Sequence, residues 1–221
     1  NLCRIESMNS DLDLSLAAPS PLDGEVGLPG DKSLSHRAAL FAAIAEGTSV
    51  IDGFLVSGVT RAMLDALTGL GVEWRLDATR LTVVGRGLKG FLPPSAPVNC
   101  GNSATTMRML AGALAASGVT ATLDGSDGLR KRPMGRVIAP LTAMGARIAS
   151  VNGCAPLSLT GRDPATPLRP LDYALPVASA QVKSCLILAA LAADGASVLR
   201  EPGPSRDHTE RMLKAMGADI L

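Results

Sequence analysis

The sequence predicts an α/β fold made from one supersecondary unit used three times, with apolar helices inside and half-wetted strands outside. Three observations lead there. The first is repetition: Ser33, Ser103 and Ser179 stand 14, 15 and 16 residues ahead of Gly47, Gly118 and Gly195. Each unit then closes on a glycine behind an apolar residue, at Leu70-Gly71, Met144-Gly145 and Met216-Gly217. Matched glycines recur every 71 to 77 residues, as expected when one unit is reused. The second is that A-A-L-F-A-A-I-A (38–45), M-L-A-G-A-L-A-A (109–116) and C-L-I-L-A-A-L-A-A (185–193) are apolar all round, so helices made from them must be enclosed. The third is partial alternation in T-S-V-I-D-G-F-L (48–55), L-T-V-V-G-R-G-L (81–88), V-T-A-T-L-D-G-S (119–126) and A-S-V-L-R-E-P-G (196–203), the pattern of strands with one wet face. Enclosed helices and outer sheets are the reverse of a doubly wound sheet.

Taken in order, residues 9–20 read as one exposed strand and a linker. Pro29-Gly30 marks a turn, and Asp31 or Ser33 caps the first buried helix. Second helices are expected at about 60–70, 134–144 and 207–216, each followed by its closing glycine. The last residues, Ala-Asp-Ile-Leu, fall where the third unit should begin its final strands, so the chain reads as cut short.

Composition narrows the function. A chain of 221 residues can bury a sizeable core. Net charge is +1, which argues against a dedicated nucleic-acid binder or a polybasic membrane anchor. Aromatics are only 2%, so the core must be built from Ala, Leu, Val, Ile and Met. No apolar run reaches the roughly 18 residues of a membrane span. Cys3, Cys100, Cys154 and Cys185 form no C-x-x-C pair; reduced thiols and a cytoplasmic location are the simplest reading. Neither a metal nor a cofactor is called for.

Cations at the helix starts carry the chemistry. Lys32 precedes the first buried helix, Arg37 lies in its first turn, Arg108 opens the second and Lys183 the third. A positive side chain there opposes the helix dipole by a few tenths to about 1 kcal/mol. Three such starts, each with Ser or Thr hydroxyls and free backbone N–H groups, point to bound anions, although any one of them is also an ordinary cap. Arg130, Lys131 and Arg132 follow in a row, and Pro133 fixes the direction in which Arg132 emerges; Arg suits a two-pronged grip on carboxylate or phosphate. Asp207 reads as a helix cap and His208 as a helix-entry residue.

The motifs L-P-G-D-K-S-L-S-H-R (28–37), G-N-S-A-T-T-M-R (101–108), L-R-K-R-P-M (129–134), A-S-A-Q (178–181) and S-R-D-H-T (205–209) resemble the 5-enolpyruvylshikimate-3-phosphate synthase family. The resemblance spans nearly the whole chain but only the N-terminal half of the family, whose members have two such domains. It implies an inverted, inside-out α/β barrel of three units per domain. It also implies transfer of the enolpyruvyl group of phosphoenolpyruvate to the 5-hydroxyl of shikimate 3-phosphate, with release of phosphate. By this resemblance Lys32 contacts both substrates and stabilises charge as phosphate leaves. Ser33 and Arg37 hold the carboxylate side of shikimate 3-phosphate, and Ser179, Ala180, Ser205 and Arg206 surround its 3-phosphate. Gln181 touches both ligands, while Asn102, Ala104 and Arg132 line the phosphoenolpyruvate side. Residues 1–20 are then an N-terminal segment whose strand belongs with the second domain, and 21–221 the three-unit domain. The C-terminal half of the enzyme is the expected partner, with no nucleic acid and no membrane.

Three departures stand out. Ala104 takes a place that is Gly in many members, and its methyl should exclude the longer inhibitor glyphosate. Ala180 in A-S-A-Q, with S-R-D-H-T, also looks like the glyphosate-insensitive class. Val59 in S-G-V-T (57–60) replaces a usual Asp. A related family, UDP-N-acetylglucosamine enolpyruvyl transferase, carries a reactive Cys in the loop before its R-P; G-S-D-G-L-R-K-R-P (125–133) has none. A non-catalytic anion-binding domain is the remaining alternative.

Overall fold

A computed structural model describes residues 4–5, 14–15, 24–163 and 165–221. Most of the strand and linker expected at 9–20 lies outside the described residues. The short strands β1 (Arg4–Ile5) and β2 (Leu14–Ser15) pair antiparallel.

The first unit runs α1 (Lys32–Ile44), β3 (Glu46–Ile51), α2 (Gly58–Gly69), β4 (Glu73–Asp77) and β5 (Arg80–Arg86). The second runs β6 (Val98–Asn99), α3 (Ala104–Ser117), β7 (Ala121–Asp124), the single turn α4 (Asp127–Arg130), α5 (Gly135–Ala143), β8 (Arg147–Val151) and β9 (Cys154–Thr160). The third has β10 (Asp172–Ala174), α6 (Ala180–Ala190), β11 (Val198–Arg200) and α7 (His208–Ala215). Each unit owns a sheet: β3-β5-β4 is antiparallel, β6-β7-β9-β8 adds the parallel strand β6 to an antiparallel set, and β10-β11 is a parallel pair.

The apolar helices are indeed inside. Leu110, Ala111, Ala113 and Ala116 of α3 are all 0% exposed, while β5 and β9 alternate buried and open positions. α3 lies along α6 and also touches α1. Gly112 makes the α3–α6 approach possible, because a Cβ there would run into the Cys185 carbonyl oxygen. The closing glycines share a conformation: Gly71, Gly145 and Gly217 have φ of 81°, 103° and 91°. In each case the next N–H reaches back to the helix, Val72 to Leu67, Ala146 to Leu141 and Ala218 to Leu213. This is the Schellman ending, for which glycine is the low-strain residue.

Four expectations need correction. α6 stops at Ala190, short of residue 193, because the chain turns there so that Ala192 O and Asp194 N bond Leu168. Ser33 is not the counterpart of Ser103 and Ser179: those two are N-caps, whereas Asp31 caps α1 and Ser33 lies inside it. Asp207 occupies the N-cap position of α7, but its side chain makes no capping bond. β11 covers only 198–200 of the expected 196–203, since Pro202 and Gly203 cannot extend it.

Candidate functional site

The three buried helices begin at one shared region. Asp31 Oδ1 accepts the Leu34 N–H at 2.8 Å, which starts α1 earlier than expected: Lys32 is its first residue rather than the one before it, and Arg37 falls in its second turn rather than its first. Arg37 is 1% exposed. Its Nε donates to Thr209 Oγ1 at 2.7 Å, Nη1 to Ser33 Oγ at 2.6 Å, and Nη2 to Ser184 Oγ at 2.7 Å. Among the described residues no carboxylate forms an ion pair with it. Burial pushes its pKa down, and the more distant Glu210 acts in the other direction. A buried guanidinium partnered only by hydroxyls and a carbonyl is a positive charge still short of its counter-ion.

α3 contributes a cap and a cation. Ser103 Oγ accepts from Thr106 N–H at 3.1 Å and from the Thr106 hydroxyl at 2.8 Å. Its own proton is thereby free for His36 Nε2, 3.3 Å away, while His36 Nδ1 donates to the Lys32 carbonyl at 2.7 Å. A carbonyl only accepts, so Nδ1 carries a proton, and burial holds the His36 pKa below its ordinary value. Arg108, one turn into α3, donates to Gln181 Oε1 at 2.6 Å and to the Pro133 carbonyl at 3.0 Å. Gln181 Nε2 in turn donates to Thr105 Oγ1 at 3.0 Å. Arg132, beside Pro133, reaches Asn102 Oδ1 at 3.3 Å.

These groups line two adjoining clefts. The larger, about 420 Å³, is bounded by Lys32, Ser33, Arg37, Thr105, Arg108, Ser179, Ala180, Gln181, Ser205 and Arg206. The smaller, about 190 Å³, is bounded by Lys32, His36, Val59, Asn102, Ser103, Ala104, Thr105, Arg108, Arg132 and Gln181. Lys32, Thr105, Arg108 and Gln181 form the shared wall. Every residue assigned a ligand role from the sequence lines one cleft or the other. Neither lining contains a carboxylate, so the pair is a groove for anions. Arg108 belongs to both yet was only a helix-opening cation in the sequence reading. His36 and Thr209 were missed; no local pattern marks a side chain whose partners are 67 and 172 residues away in sequence.

Lys183 departs from expectation. It does not face the groove but bridges Glu201 and Glu210, each at 2.6 Å. The helix start at α6 therefore offers no free cation of its own. Arg130 likewise turns to Asp124, at 2.6 Å.

Residues 16–221 match the family described as EPSP synthase (3-phosphoshikimate 1-carboxyvinyltransferase). The chain is 52% identical over 205 residues to the 3-phosphoshikimate 1-carboxyvinyltransferase of Dichelobacter nodosus, covering 92% of this chain and 45% of that one. It is 48% identical over 202 residues to that of Acidithiobacillus ferrooxidans, covering 91% and 46%. The solved EPSP synthase of Acinetobacter baumannii superposes with a TM-score of 0.83 at 44% identity, covering 89% of this chain and 44% of that chain. The chain thus spans about half the length of the curated relatives it matches, and among the described residues no helix is long and apolar enough to cross a membrane. By family match, identity and superposition alike, this chain belongs to the EPSP synthase family.

Proposed function

We propose that the chain supplies the N-terminal half of a site that moves the enolpyruvyl group of phosphoenolpyruvate onto the 5-hydroxyl of shikimate 3-phosphate, with phosphate leaving. The observation that carries this reading is the pair of clefts joined through Lys32, Arg108 and Gln181, both cationic and both free of carboxylates. Two polyanionic substrates that must meet need two such compartments with a common wall. In the larger cleft, Ser33 and Arg37 take the carboxylate of shikimate 3-phosphate, and Ser179, Ala180, Ser205 and Arg206 its phosphate. In the smaller, Asn102, Ala104 and Arg132 take phosphoenolpyruvate. Lys32 faces both and stabilises charge as the phosphate departs. Gln181 touches both ligands and is fixed for that task by Arg108 and Thr105.

The same reading gives the architecture: residues 21–221 form one inside-out three-unit barrel half, and the segment 1–20 belongs with the second domain. It also places the chain in the glyphosate-insensitive class through Ala104 and Ala180. Further basic and acid–base groups come from the C-terminal half, so the 221-residue chain alone binds shikimate 3-phosphate weakly and turns over negligibly. Calorimetric titration with shikimate 3-phosphate and with a nucleotide sugar tests the assignment. Heat from the first alone supports it; binding of the nucleotide sugar alone transfers the chain to the related transferase. Activity regained on adding the C-terminal half supports the two-part site.

A further inference from the structure

Behind the larger cleft lies a charged cluster that lines neither of the two clefts. Glu201, just past β11, accepts the Ser179 N–H at 3.2 Å, the Ser205 hydroxyl at 2.7 and 2.9 Å, and Lys183 Nζ at 2.6 Å. Lys183 is shared with Glu210 of α7. The side chains of Lys183, Glu201 and Glu210 are 12%, 14% and 24% exposed. Glu201 lines neither cleft, but Ser179, Ser205 and Arg206 line the larger one.

We infer that Glu201 is a positioning residue for phosphate binding: its carboxylate fastens the loop that carries Ser205 and Arg206 to the first turn of α6. The inference rests on the reading of this cleft as the 3-phosphate pocket. Two of the bonds of Glu201 cross from the loop to α6, at Ser179 N–H and Lys183 Nζ. They remain when a ligand draws the Ser205 proton towards itself, so the loop stays fastened in the bound state. Without them the connection from Glu201 to Asp207 contains no regular structure and includes Pro202, Gly203 and Pro204. Burial works against the charged forms of both Lys183 and Glu201, yet their mutual bonds prevail, raising the first pKa and lowering the second.

The role has a sign that separates it from plain electrostatics. A carboxylate near a phosphate repels it, so neutralising Glu201 without any positional role would tighten phosphate binding. A fastening role gives the opposite result. In E201Q the amide still accepts one N–H but loses the charge-assisted bond to Lys183. The test is calorimetry of the 221-residue chain with shikimate 3-phosphate and with shikimate, alongside thermal melting. E201Q should bind shikimate 3-phosphate about tenfold more weakly, the range of one charged hydrogen bond, while shikimate affinity stays within about twofold. Lys183→Met should give the same pattern, and the double variant little more than either single one. Unchanged or tighter binding of shikimate 3-phosphate by E201Q overturns the inference, as does an equal loss for both ligands. If neither variant folds, the cluster is a folding element and the inference also falls. A wild-type chain that binds neither ligand sinks the underlying reading and the inference with it.

Discussion

Arg108 on α3 donates to the side-chain oxygen of Gln181 on α6 at 2.6 Å, so one repeat unit dictates the rotamer of a residue in the next. Its other terminal nitrogen, Nη2, donates to the Pro133 carbonyl, next to Arg132. Arg108 thus ties the walls of both clefts together, and removing it should loosen Gln181 and Arg132 at once. A hydrogen bond from a charged group contributes about 1.5–3 kcal/mol. Arg108→Ala is expected to weaken shikimate 3-phosphate binding by about tenfold or more, read by calorimetry. Thr105→Val, which removes only the acceptor for Gln181 Nε2, should produce a smaller loss in the same direction. Equal affinity in Arg108→Ala and wild type would contradict the tie.

Gly112 is where the backbones of α3 and α6 come closest. A methyl there meets the Cys185 carbonyl, a main-chain atom that cannot rotate away. Overpacking of this kind costs about 1–3 kcal/mol. Gly112→Ala should therefore lower the melting temperature by roughly 3–10 °C in a chain of this size. A melting curve superimposable on wild type would show that the helices separate freely.

His36 links stability to pH. Burial holds its pKa below the ordinary 6.5, the nearby Lys32 charge adds to this, and the bond to the Lys32 carbonyl works in the opposite direction. The unfolded chain keeps the ordinary value, so as pH falls through about 6.5 the unfolded state takes up the proton first. Stability is complete above that pH and declines below it, until the folded pKa is passed. Urea unfolding at pH 7.5 and at pH 5.5 should show a fall of up to about 1.4 kcal/mol per pH unit. His36→Gln should flatten that limb; an unaltered slope would assign it to other groups.

Ala104 is the first residue of α3 and is 5% exposed at the edge of the smaller cleft. Ala104→Gly removes the methyl proposed to narrow the cleft, at a helix cost of roughly 0.5–1 kcal/mol. Glyphosate affinity, measured in the presence of shikimate 3-phosphate, should rise in the variant while the melting temperature falls slightly. Unchanged glyphosate affinity would overturn the proposed exclusion by Ala104.

Much of this was legible in the sequence where the signal is local. Helices that are apolar all round have to be enclosed, and Gly71, Gly145 and Gly217 announce the same helix ending three times. Other local signals were there to be read. Asn152-Gly153, with φ of 51° and 70°, is the turn that joins β8 to β9, and such a dipeptide is a strong hairpin cue; Pro156 interrupts the alternation that would have supported it. What could not be read is pairing at a distance. Lys183 looked like an anion-facing cation because helix position was the only guide, and its partners lie 18 and 27 residues further on. Arg37 met Thr209 and Ser184 only because α1, α6 and α7 converge. Asp31 and Ser33 were equal candidates for the cap of α1, and only the fold shows that Asp31 takes the position.

Among the described residues β11 has β10 on one side and no strand on the other, whereas β7 of the second unit lies between β6 and β9. A row of main-chain donors and acceptors left open in this way does not distinguish between its own molecule and the next one.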